Sequence, residues 1–331
     1  YYLLLFRIKF IKLNELLSIV RIVKILVLGS NGLVGNGLRK LLNRKQNLDK
    51  YETFFSTRKD TNLYSEIETK KLISEIQPDT VINAAAKVGG IIANNTQRFD
   101  FITKNLRKNL NIFESIKQNP SINVINLGSS CIYPLDAPNP IKESYIMSGK
   151  LEPTNSPYAM AKLSSIEMGN ALNANFGNRV INLMPTNLYG PNDNFSENGS
   201  HVIPGLMRRM HIAKIEDSED FKVWGTGNPL REFLHVDDLA RAILHVLEND
   251  SDISLLNVGS NKEVSIKELS LIIKKVIGYE GSIIFDDSYP DGNPRKLLDS
   301  TLIFETGWKP EISLMDGLID TYTWFLENED L

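Results

Sequence analysis

The sequence contains very little cysteine and histidine, and this scarcity excludes several classes of protein. Cys131 is the only cysteine, so no disulfide framework can form within the chain. A lone thiol is typical of a reducing compartment, and we therefore expect a cytoplasmic protein. No cysteine or histidine cluster has metal-ligand spacing, so the sequence predicts no metal site. The histidines are His201, His211, His235 and His245, of which the last three are expected to be structural or exposed.

Long hydrophobic runs and a strong excess of one charge are also missing. The 331 residues are 42% hydrophobic and 23% charged, with a formal net charge of -3, which is typical of an ordinary globular protein. This balance gives no reason to expect a nucleic-acid or membrane partner. Residues 1–23 are too charged to span a bilayer and lack the features of a signal peptide. We interpret them as a non-native leader, in preference to a peripheral anchor.

A short apolar run at residues 24–28 is typical of a parallel strand that is buried on both faces. A glycine-rich turn follows it directly and opens a helix that continues to about residue 43. In such a turn the first glycine permits a tight bend, the second admits a pyrophosphate, and the third lets the helix pack on the sheet. The motif favours a dinucleotide site over a purely structural turn. Its predicted cofactor-binding residues are Gly29, Asn31, Gly32, Leu33, Val34 and Gly35.

The second predicted strand, residues 52–57, ends in two cations. Arg58 and Lys59 stand where an NAD-binding unit usually has an acidic residue on the ribose hydroxyls. Cations at this point can accept a 2′-phosphate, which favours NADP(H). The alternative is a solvated basic turn.

Strands and helices alternate along the first two thirds of the chain. Further strands are predicted at residues 80–86, 123–127 and 180–184, and helices at 65–76, 94–119 and 157–176. This order predicts an α/β fold with a doubly wound parallel sheet of the Rossmann type and a binding crevice at the carboxyl ends of its strands. Strand ends and a loop at 185–191 add predicted cofactor contacts at that edge. They are Leu127, Gly128, Pro185, Asn187 and Leu188.

After residue 191 the alternation weakens, and the sequence predicts a smaller C-terminal α/β lobe for the substrate. We expect residues 24–191 to form mainly the cofactor-binding domain and 192–331 mainly the lobe, with segments such as 236–248 returning to the main sheet. The lobe carries Arg209, Trp224 and Arg231, together with the run 291–296. Each alone is more typical of a salt bridge or a core aromatic residue. Together they suggest a diphosphate-bearing substrate, because arginine binds phosphate oxygens and tryptophan offers a flat face.

A tyrosine and a lysine are spaced for carbonyl chemistry. Tyr158 and Lys162 are four residues apart in a predicted helix, so their side chains emerge from one face. A nearby ammonium can lower the pKa of a tyrosine from its usual value of about 10. Ser129, after a predicted strand, would hold the reacting oxygen from the other side. The spacing alone also occurs by chance on solvated helices.

Six motifs together resemble the extended short-chain dehydrogenase/reductases, and among them the epimerase-reductases of GDP-keto-deoxy sugars. The resemblance extends from about residue 24 to residue 328. The motifs are NAAAKVGGIIANN (83–95), LGSSCIYP (127–134), LEPTNSPYA (151–159), MPTNLYGP (184–191), SHVIP (200–204) and REFLHVDD (231–238).

The resemblance implies roles for individual residues. Ser129, Tyr158 and Lys162 match the dehydrogenase set, whereas Cys131 and His201 match an acid/base pair for epimerisation. Lys162 and His201 would also border the cofactor. If strand geometry continues past Ser129, Cys131 points into the same crevice; the alternative is a small buried hydrophobic residue. The implied substrate contacts are Arg209, Trp224, Arg231, Asp291 and Lys296.

The chain departs from the family at Asn31, where arginine is frequent, so binding of the cofactor phosphate rests mainly on Arg58 and Lys59. The family also implies a homodimer through helices 94–119 and 157–176. The apolar positions of the first helix are expected in the core or in that interface. They are Phe99, Ile102, Leu106, Leu110 and Phe113.

The expected reaction is 3,5-epimerisation of GDP-4-keto-6-deoxy-D-mannose followed by NADPH-dependent reduction to GDP-L-fucose. One alternative is a sister enzyme that acts on a related GDP-keto-deoxy sugar, of the GDP-L-colitose type. Another is an NAD-dependent UDP-hexose 4-epimerase, against which Cys131 and the His201 motif argue. A third, of a different class, is a nucleotide-sugar binding protein without activity.

Overall fold

The computed structural model describes residues 22–197, 199–249, 253–289 and 291–328. The predicted leader, residues 1–23, therefore lies almost entirely outside the described residues. The first strand begins at Val23, one residue before its predicted start. None of the helices in the described ranges is long and apolar enough to cross a membrane.

Strands and helices alternate in the first part of the chain, as the sequence predicts. The strands are β1 (Val23–Leu28), β2 (Tyr51–Ser56), β3 (Thr80–Asn83), β4 (Asn123–Leu127), β5 (Val180–Pro185) and β6 (Asn187–Tyr189). The helices are α1 (Leu33–Leu42), α2 (Lys45–Leu48), α3 (Glu66–Ile76), α4 (Ile91–Thr96), α5 (Arg98–Ile116) and α6 (Ser156–Phe176). Short 3₁₀ turns occupy Ser130–Ile132 and Glu143–Tyr145.

The second part of the chain supplies shorter strands and five further helices among the described residues. The strands are β7 (Asp220–Trp224), β8 (Leu230–His235), β9 (Leu255–Val258), β10 (Glu263–Ser265), β11 (Ser282–Asp286) and β12 (Arg295–Lys296). The helices are α7 (Val202–Ile215), α8 (Val236–Glu248), α9 (Ile266–Ile277), α10 (Thr301–Glu305) and α11 (Leu314–Glu327).

The main sheet has six parallel strands in the order β2-β1-β3-β4-β5-β9. Its strands are mostly apolar because helices cover both faces. Ile25 and Val27 of β1 pack towards one face, with Leu38 of α1 and Ile243 of α8. Leu26 packs towards the opposite face, in a cluster built from α3, α5 and α6. The predicted doubly wound sheet is thus confirmed, and all its strands end at the same edge.

Segments from the C-terminal part complete this sheet. Strand β9 pairs with β5 as its sixth strand, and α8 lies beside α1 in one hydrophobic cluster. The remaining segments form a lobe in which β8 pairs with β6, β10 and β12, while β7 pairs with β11. A separate cluster built around α7, α9 and α11 fills the lobe.

Three predicted segments were wrong in extent. The strand predicted at 80–86 ends at Asn83, so Ala84 and the following residues form the edge of the crevice. The helix predicted at 94–119 is two helices, with a break at Gln97, where the backbone leaves helical geometry. The loop predicted at 185–191 contains β6, which forms because β8 returns beside it, with Asn187 opposite Phe233.

Candidate active site

The glycine turn after β1 has the backbone geometry that the sequence predicts. Gly29 has a φ of +78°, and a Cβ there would lie 2.7 Å from the Cα of Ala85. A Cβ on Gly35 would lie 2.4 Å from the Cα of Ser30, so this position also requires glycine. On Gly32 the nearest contact of a Cβ would be an ordinary 3.5 Å, to a carbonyl oxygen of the turn. Packing therefore requires the first and third glycines, and the second leaves open surface.

The N-terminus of α1 at this turn is suited to an anion. Gly32 is the N-cap and has no side-chain hydrogen bond to the first-turn amides among the described residues. Such amides and the helix dipole favour negative charge. The predicted residues Leu33 and Val34 form the first helical turn, and the carbonyl of the neighbouring Asn31 accepts a hydrogen bond from Asn36. The arrangement fits the pyrophosphate of a dinucleotide.

A cation that sequence analysis missed lies at the same turn. The Arg39 guanidinium donates to the Ser30 hydroxyl at 3.3 Å, and its carbon lies 4.2 Å from the centre of the Phe55 ring on β2. A positive group is thus present although residue 31 is asparagine. Arg39 lies on the helix that the turn opens, nine residues after Ser30, and its contact with Phe55 depends on the packing of α1 on β2.

Lys108 is a second missed cation, and it is almost completely buried on α5, with 5% of its surface exposed. Burial lowers its pKa to about 7, and Lys162, Arg58 and Lys87 act in the same direction. The charged groups that shift the pKa of Lys108 are therefore all cations. Positive groups gathered in this way at one sheet edge are suited to an anionic ligand. Sequence analysis considered only the apolar positions of this helix.

Tyr158 lies at the start of α6 and faces the end of β4. The nearby Ser129 hydroxyl acts to lower its pKa, but burial and then the charge of Cys131 raise that pKa well above its usual value. The Phe101 and Tyr158 rings pack edge to face with 6.3 Å between ring centres. The structure therefore brings Tyr158 near Ser129 and Cys131.

The pKa of Tyr158 is raised, whereas the sequence analysis predicted that a nearby ammonium would lower it. The Lys162 ammonium lies 5.8 Å from the Tyr158 ring centre and donates to the Leu127 carbonyl at 2.6 Å. Lys162 is buried, and burial lowers its own pKa to about 8. The lysine is held by the end of β4, and its effect on the tyrosine is outweighed by desolvation.

Cys131 reaches the crevice for a different reason from the predicted one. The strand ends at Leu127, and Cys131 lies in the 3₁₀ turn that follows Ser129. The Ser129 hydroxyl accepts a hydrogen bond from the Cys131 amide at 3.2 Å. The thiol sulfur is 3.5 Å from the Lys296 ammonium, which is suited to pairing with a thiolate. Lys296, predicted among the substrate contacts, thus lies beside the candidate acid/base cysteine.

His201 is the N-cap residue of α7, and its side chain is 46% exposed. Desolvation by the surrounding crevice lowers its pKa. Its Nδ1 atom is 4.0 Å from Oδ1 of Asp193, a residue that sequence analysis did not select. A backbone hydrogen bond from Gly90 to Gly199 ties the preceding loop to the edge of the main sheet.

In the lobe, Arg209 lies over the face of Trp224, with 4.8 Å from the guanidinium carbon to the ring centre. Trp224 is 50% exposed and stacks on Tyr289 with 5.0 Å between ring centres. Burial lowers the pKa of the Arg209 guanidinium. Tyr289 extends this exposed aromatic surface, and sequence analysis missed it because it comes from a distant loop.

Arg231 and Asp291 hold the lobe's loops together. The Arg231 guanidinium donates to the Asn293 carbonyl at 2.6 Å. Burial lowers the pKa of Arg231, and the negative charge of Asp291 partly offsets this effect. The Asp291 carboxylate accepts hydrogen bonds from the amide and the hydroxyl of Thr226, at 2.9 Å and 2.6 Å. The register of β12 on β8 sets Lys296 opposite Arg231.

The other predicted cofactor contacts lie at the ends of β4 and β5. A Cβ on Gly128 would lie 2.2 Å from the sulfur of Met184, so a larger residue there would have to displace the end of that side chain. Pro185 is buried, and Leu188 packs against the main core. Asn187 donates to the Glu232 carbonyl at 2.8 Å. These residues lie at the same sheet edge as Ser129, and the side chains of Asn187 and Leu188 make structural contacts.

A buried amide network supports the strand ends. Asn126 of β4 donates to Asn182 of β5 at 2.8 Å and to Ser165 of α6 at 2.7 Å. Asn83 of β3 donates to Asn126 and to Asn109 of α5, each at 3.2 Å. The sequence signal for this network is the presence of polar residues in otherwise apolar strands. Sequence analysis did not use that signal.

One group of side chains in the described part of the chain has a spacing that could hold a metal ion. It consists of His235, Asp237 and Asp320. The Asp237 amide donates to Nδ1 of His235 at 3.3 Å, which leaves the ring proton on Nε2. That Nε2 is buried and lies 3.4 Å from an Asp320 oxygen, a close charge contact without a hydrogen bond.

Comparison with known proteins agrees with this geometry. Residues 25–259 match the NAD dependent epimerase/dehydratase family. The GDP-L-fucose synthase of Escherichia coli (strain K12) is 45% identical over 93% of this chain and 98% of its own. The GDP-L-colitose synthase of Yersinia pseudotuberculosis is 33% identical over 93% of this chain and 99% of its own. A structure of a GDP-L-fucose synthetase from Naegleria fowleri bound to NADP has a TM-score of 0.85 at 28% identity, and the match covers 93% of this chain and 95% of that one.

The family match spans the glycine turn, the Ser129, Tyr158 and Lys162 set, and the sheet that positions them. The relatives extend the similarity through the lobe that carries Arg209, Arg231 and Lys296. The sequence motifs, the parallel sheet and the crevice at its edge therefore agree that the chain belongs to the NAD dependent epimerase/dehydratase family.

Proposed function

We propose that this chain epimerises GDP-4-keto-6-deoxy-D-mannose at carbons 3 and 5 and reduces carbon 4 with NADPH to give GDP-L-fucose. The observation that carries the proposal is the convergence of Ser129, Tyr158 and Cys131 at the end of β4, with Lys296 3.5 Å from the thiol. A plain reductase needs the serine and the tyrosine but has no need of a cysteine paired with a lysine. The similarity to GDP-L-fucose synthases supports the same reaction.

The chain binds a nicotinamide dinucleotide, and NADP(H) is the form that its charges favour. The uncapped N-terminus of α1 fits the pyrophosphate. Arg58 and Lys59 follow β2, Lys108 lies among other cations, and Arg39 reaches the glycine turn. When bound, the nicotinamide ring supplies the hydride for carbon 4. The chain's own part is to orient it and to control protons.

The epimerisation uses the acidity that the ketone gives to carbons 3 and 5. Removing a proton from either carbon gives an enolate on the same oxygen, and Ser129 and Tyr158 stabilise it by hydrogen bonds. Cys131 and His201 form the acid/base pair, one removing a proton and the other returning one to the opposite face. The Lys296 ammonium stabilises the negative charge of the Cys131 thiolate.

The reduction uses the same oxygen contacts. Tyr158 donates its proton to the oxygen of carbon 4 as that oxygen becomes a hydroxyl. The raised pKa of Tyr158 keeps this proton in place until negative charge develops on the substrate. Lys162, anchored on the Leu127 carbonyl, stabilises the phenolate that results.

The lobe binds the nucleotide part of the substrate. Arg209 and Arg231 are cations partly removed from water, which strengthens their attraction for a diphosphate. The exposed stack of Trp224 and Tyr289 offers an aromatic face to a base or a sugar. Asp291 positions this region through Thr226.

The chain also forms a homodimer through α5 and α6. Phe99 on α5 is 79% exposed, Leu110 on the same helix 50%, and Met160 on α6 44%. Phe99 and Leu110 lie on one face because eleven residues make about three helical turns. The two helices pack against each other, so a second copy would complete a four-helix layer.

Incubation of the purified protein with GDP-4-keto-6-deoxy-D-mannose and either NADPH or NADH tests the proposal. We expect preferential oxidation of NADPH, with GDP-L-fucose identified by proton NMR. An uninverted 6-deoxy sugar would contradict the roles of Cys131 and His201. Turnover only on a 3-deoxy GDP-keto sugar would favour the colitose-type reaction. We rank that reaction second because the chain is 33% identical to the GDP-L-colitose synthase and 45% identical to the GDP-L-fucose synthase.

A further inference from the structure

Asp193, in the loop between β6 and α7, carries a buried carboxylate that the mechanism above does not use. Its side chain is 4% exposed. Oδ1 accepts a hydrogen bond from the Asn194 amide at 2.7 Å, and Oδ2 has no hydrogen-bond partner in the described part of the chain. An unpaired buried carboxyl group is costly, so folds retain one where it serves a purpose.

The side chain that this carboxylate faces is His201. Its Nδ1 atom lies 4.0 Å from Oδ1 of Asp193, about 1 Å beyond an ordinary N–H···O hydrogen bond. A small rotation of the exposed imidazole closes that gap. His201 begins α7, and the Gly90 to Gly199 backbone bond holds the loop that carries it.

The carboxylate of Asp193 counteracts the effect of desolvation on the pKa of His201. Partial desolvation lowers the pKa of His201, so without a partner the proton-donating imidazolium is sparsely populated near neutral pH. A carboxylate on Nδ1 favours the imidazolium and fixes which nitrogen faces the substrate. Burial also raises the pKa of Asp193 to about 7, so pairing with His201 favours the ionised form of Asp193 in turn.

We propose that Asp193 is a positioning residue that accepts the Nδ1 proton of His201 and thereby directs Nε2 to the sugar carbon. This inference rests on the proposed epimerisation. In the step that His201 serves as acid, the Nε2–H bond breaks and a C–H bond forms at carbon 3 or 5 as the enolate is consumed. The imidazole keeps its Nδ1 proton, which stays hydrogen-bonded to Asp193.

The first test measures the Asp193→Asn variant. Asparagine keeps an acceptor for the Asn194 amide but cannot carry the charge. We expect deuterium incorporation at carbons 3 and 5 of the keto sugar in D₂O, without NADPH, to slow at least about 10-fold, while KM changes less than about 2-fold. Unchanged incorporation would overturn the proposal. The matched control is Asn194→Ala, which alters the same loop and should keep its rate; an equal loss there would assign the effect to loop order.

The second test is independent of activity. Nitrogen-15 NMR of the four histidines, with His201→Gln to assign the signal, reports which ring nitrogen holds the proton. We expect a protonated Nδ1 on neutral His201 in the parent protein and a shift towards Nε2–H in Asp193→Asn. An Nε2–H tautomer in the parent would overturn the proposal even if the variant failed to fold. The parent protein could show the expected tautomer but no deuterium exchange at carbons 3 and 5. That result would contradict the proposed function and would still support the Asp193–His201 hydrogen bond.

Discussion

Burial sets the protonation of the reacting side chains before a ligand arrives. It raises the pKa of Tyr158 and lowers that of Lys162 to about 8. The phenol therefore keeps its proton near neutral pH, and the ammonium is held by a backbone carbonyl at 2.6 Å. The Cys131 sulfur lies 3.5 Å from the Lys296 ammonium. Burial and charged neighbours thus give each of these side chains a different environment.

Two substitutions should separate the two halves of the reaction. Tyr158→Phe removes the proton donor, and we expect NADPH oxidation to fall at least about 100-fold. Cys131→Ser should slow deuterium exchange at carbons 3 and 5 by a similar factor, with GDP-sugar binding retained. Isothermal titration calorimetry provides the binding control for both. Full reductase turnover by the tyrosine variant would contradict its assigned role.

The buried lysine on α5 should make stability depend on pH. The pKa of Lys108 is about 7 in the fold and about 10.4 in an unfolded chain, so the unfolded state binds more protons between these values. The free energy of unfolding should therefore rise with pH from about 7 to 10, by up to roughly 4 kcal/mol from this group. Below pH 7 its full destabilising effect is present.

Urea unfolding of the parent and of Lys108→Met at several pH values measures this effect. The advantage of the methionine variant should be largest at or below pH 7 and shrink towards pH 10. Taking the difference between the two proteins removes titrations that they share. A difference that stays constant across the range would show that the lysine titrates normally in the fold.

At the scale of elements, the site depends on how strands and helices are held in register. Asn126 joins β4 to β3, β5 and α6 through side-chain hydrogen bonds in the middle of the protein. It is fully buried and stands three residues before Ser129. The network therefore fixes the strand whose end carries Ser129 and Cys131.

Replacing Asn126 with leucine should be strongly destabilising. The change keeps the shape but removes one hydrogen bond each from buried polar atoms of Asn83, Ser165 and Asn182, and each loss costs about 1–3 kcal/mol. We expect a total loss of about 2–5 kcal/mol of unfolding free energy, measured by urea denaturation. The exposed Asn43→Leu serves as the control and should change stability by less than about 0.5 kcal/mol. Equal stability of the two variants would contradict the importance of the network.

At the scale of the whole molecule, the crevice lies between the parallel sheet and the smaller lobe. The 3.5 Å contact from Cys131 to Lys296 joins the end of β4 to β12 of the lobe. Strand β6 continues directly from the main sheet region and pairs with β8 of the lobe. The crevice is therefore lined by Ser129, Cys131 and Tyr158 from the sheet side and by His201, Arg209 and Lys296 from the lobe side.

The proposed dimer can be tested by charging its exposed apolar stripe. In the double variant Phe99→Asp with Leu110→Asp, two carboxylates would be buried on association, so we expect a monomer in sedimentation velocity where the parent sediments as a dimer. Ile319→Asp on α11 is the matched control, because Ile319 is 49% exposed on a different helix and should leave the dimer intact. A double variant that remains dimeric would place the interface elsewhere.

The sequence by itself determined the main sheet, the glycine turn, and the identity of the Ser129, Tyr158 and Lys162 set. These features are local: an apolar run forms a buried strand, and glycine is required where a Cβ would touch backbone. Residues four apart on a helix share a face wherever that helix lies. Local patterns of this kind can be read without knowledge of distant contacts.

Only the tertiary structure decided which distant residues meet. Lys108 lies among cations and Lys296 lies beside Cys131 because strands and helices far apart in sequence pack together. Arg39 and Ser30, and Asp193 and His201, are nearer in sequence, but the path of the chain between them decides that they meet. The pKa of Tyr158 likewise depends on desolvation, which local spacing cannot express. Charge and burial are properties of the assembled fold, so they are set by non-local packing.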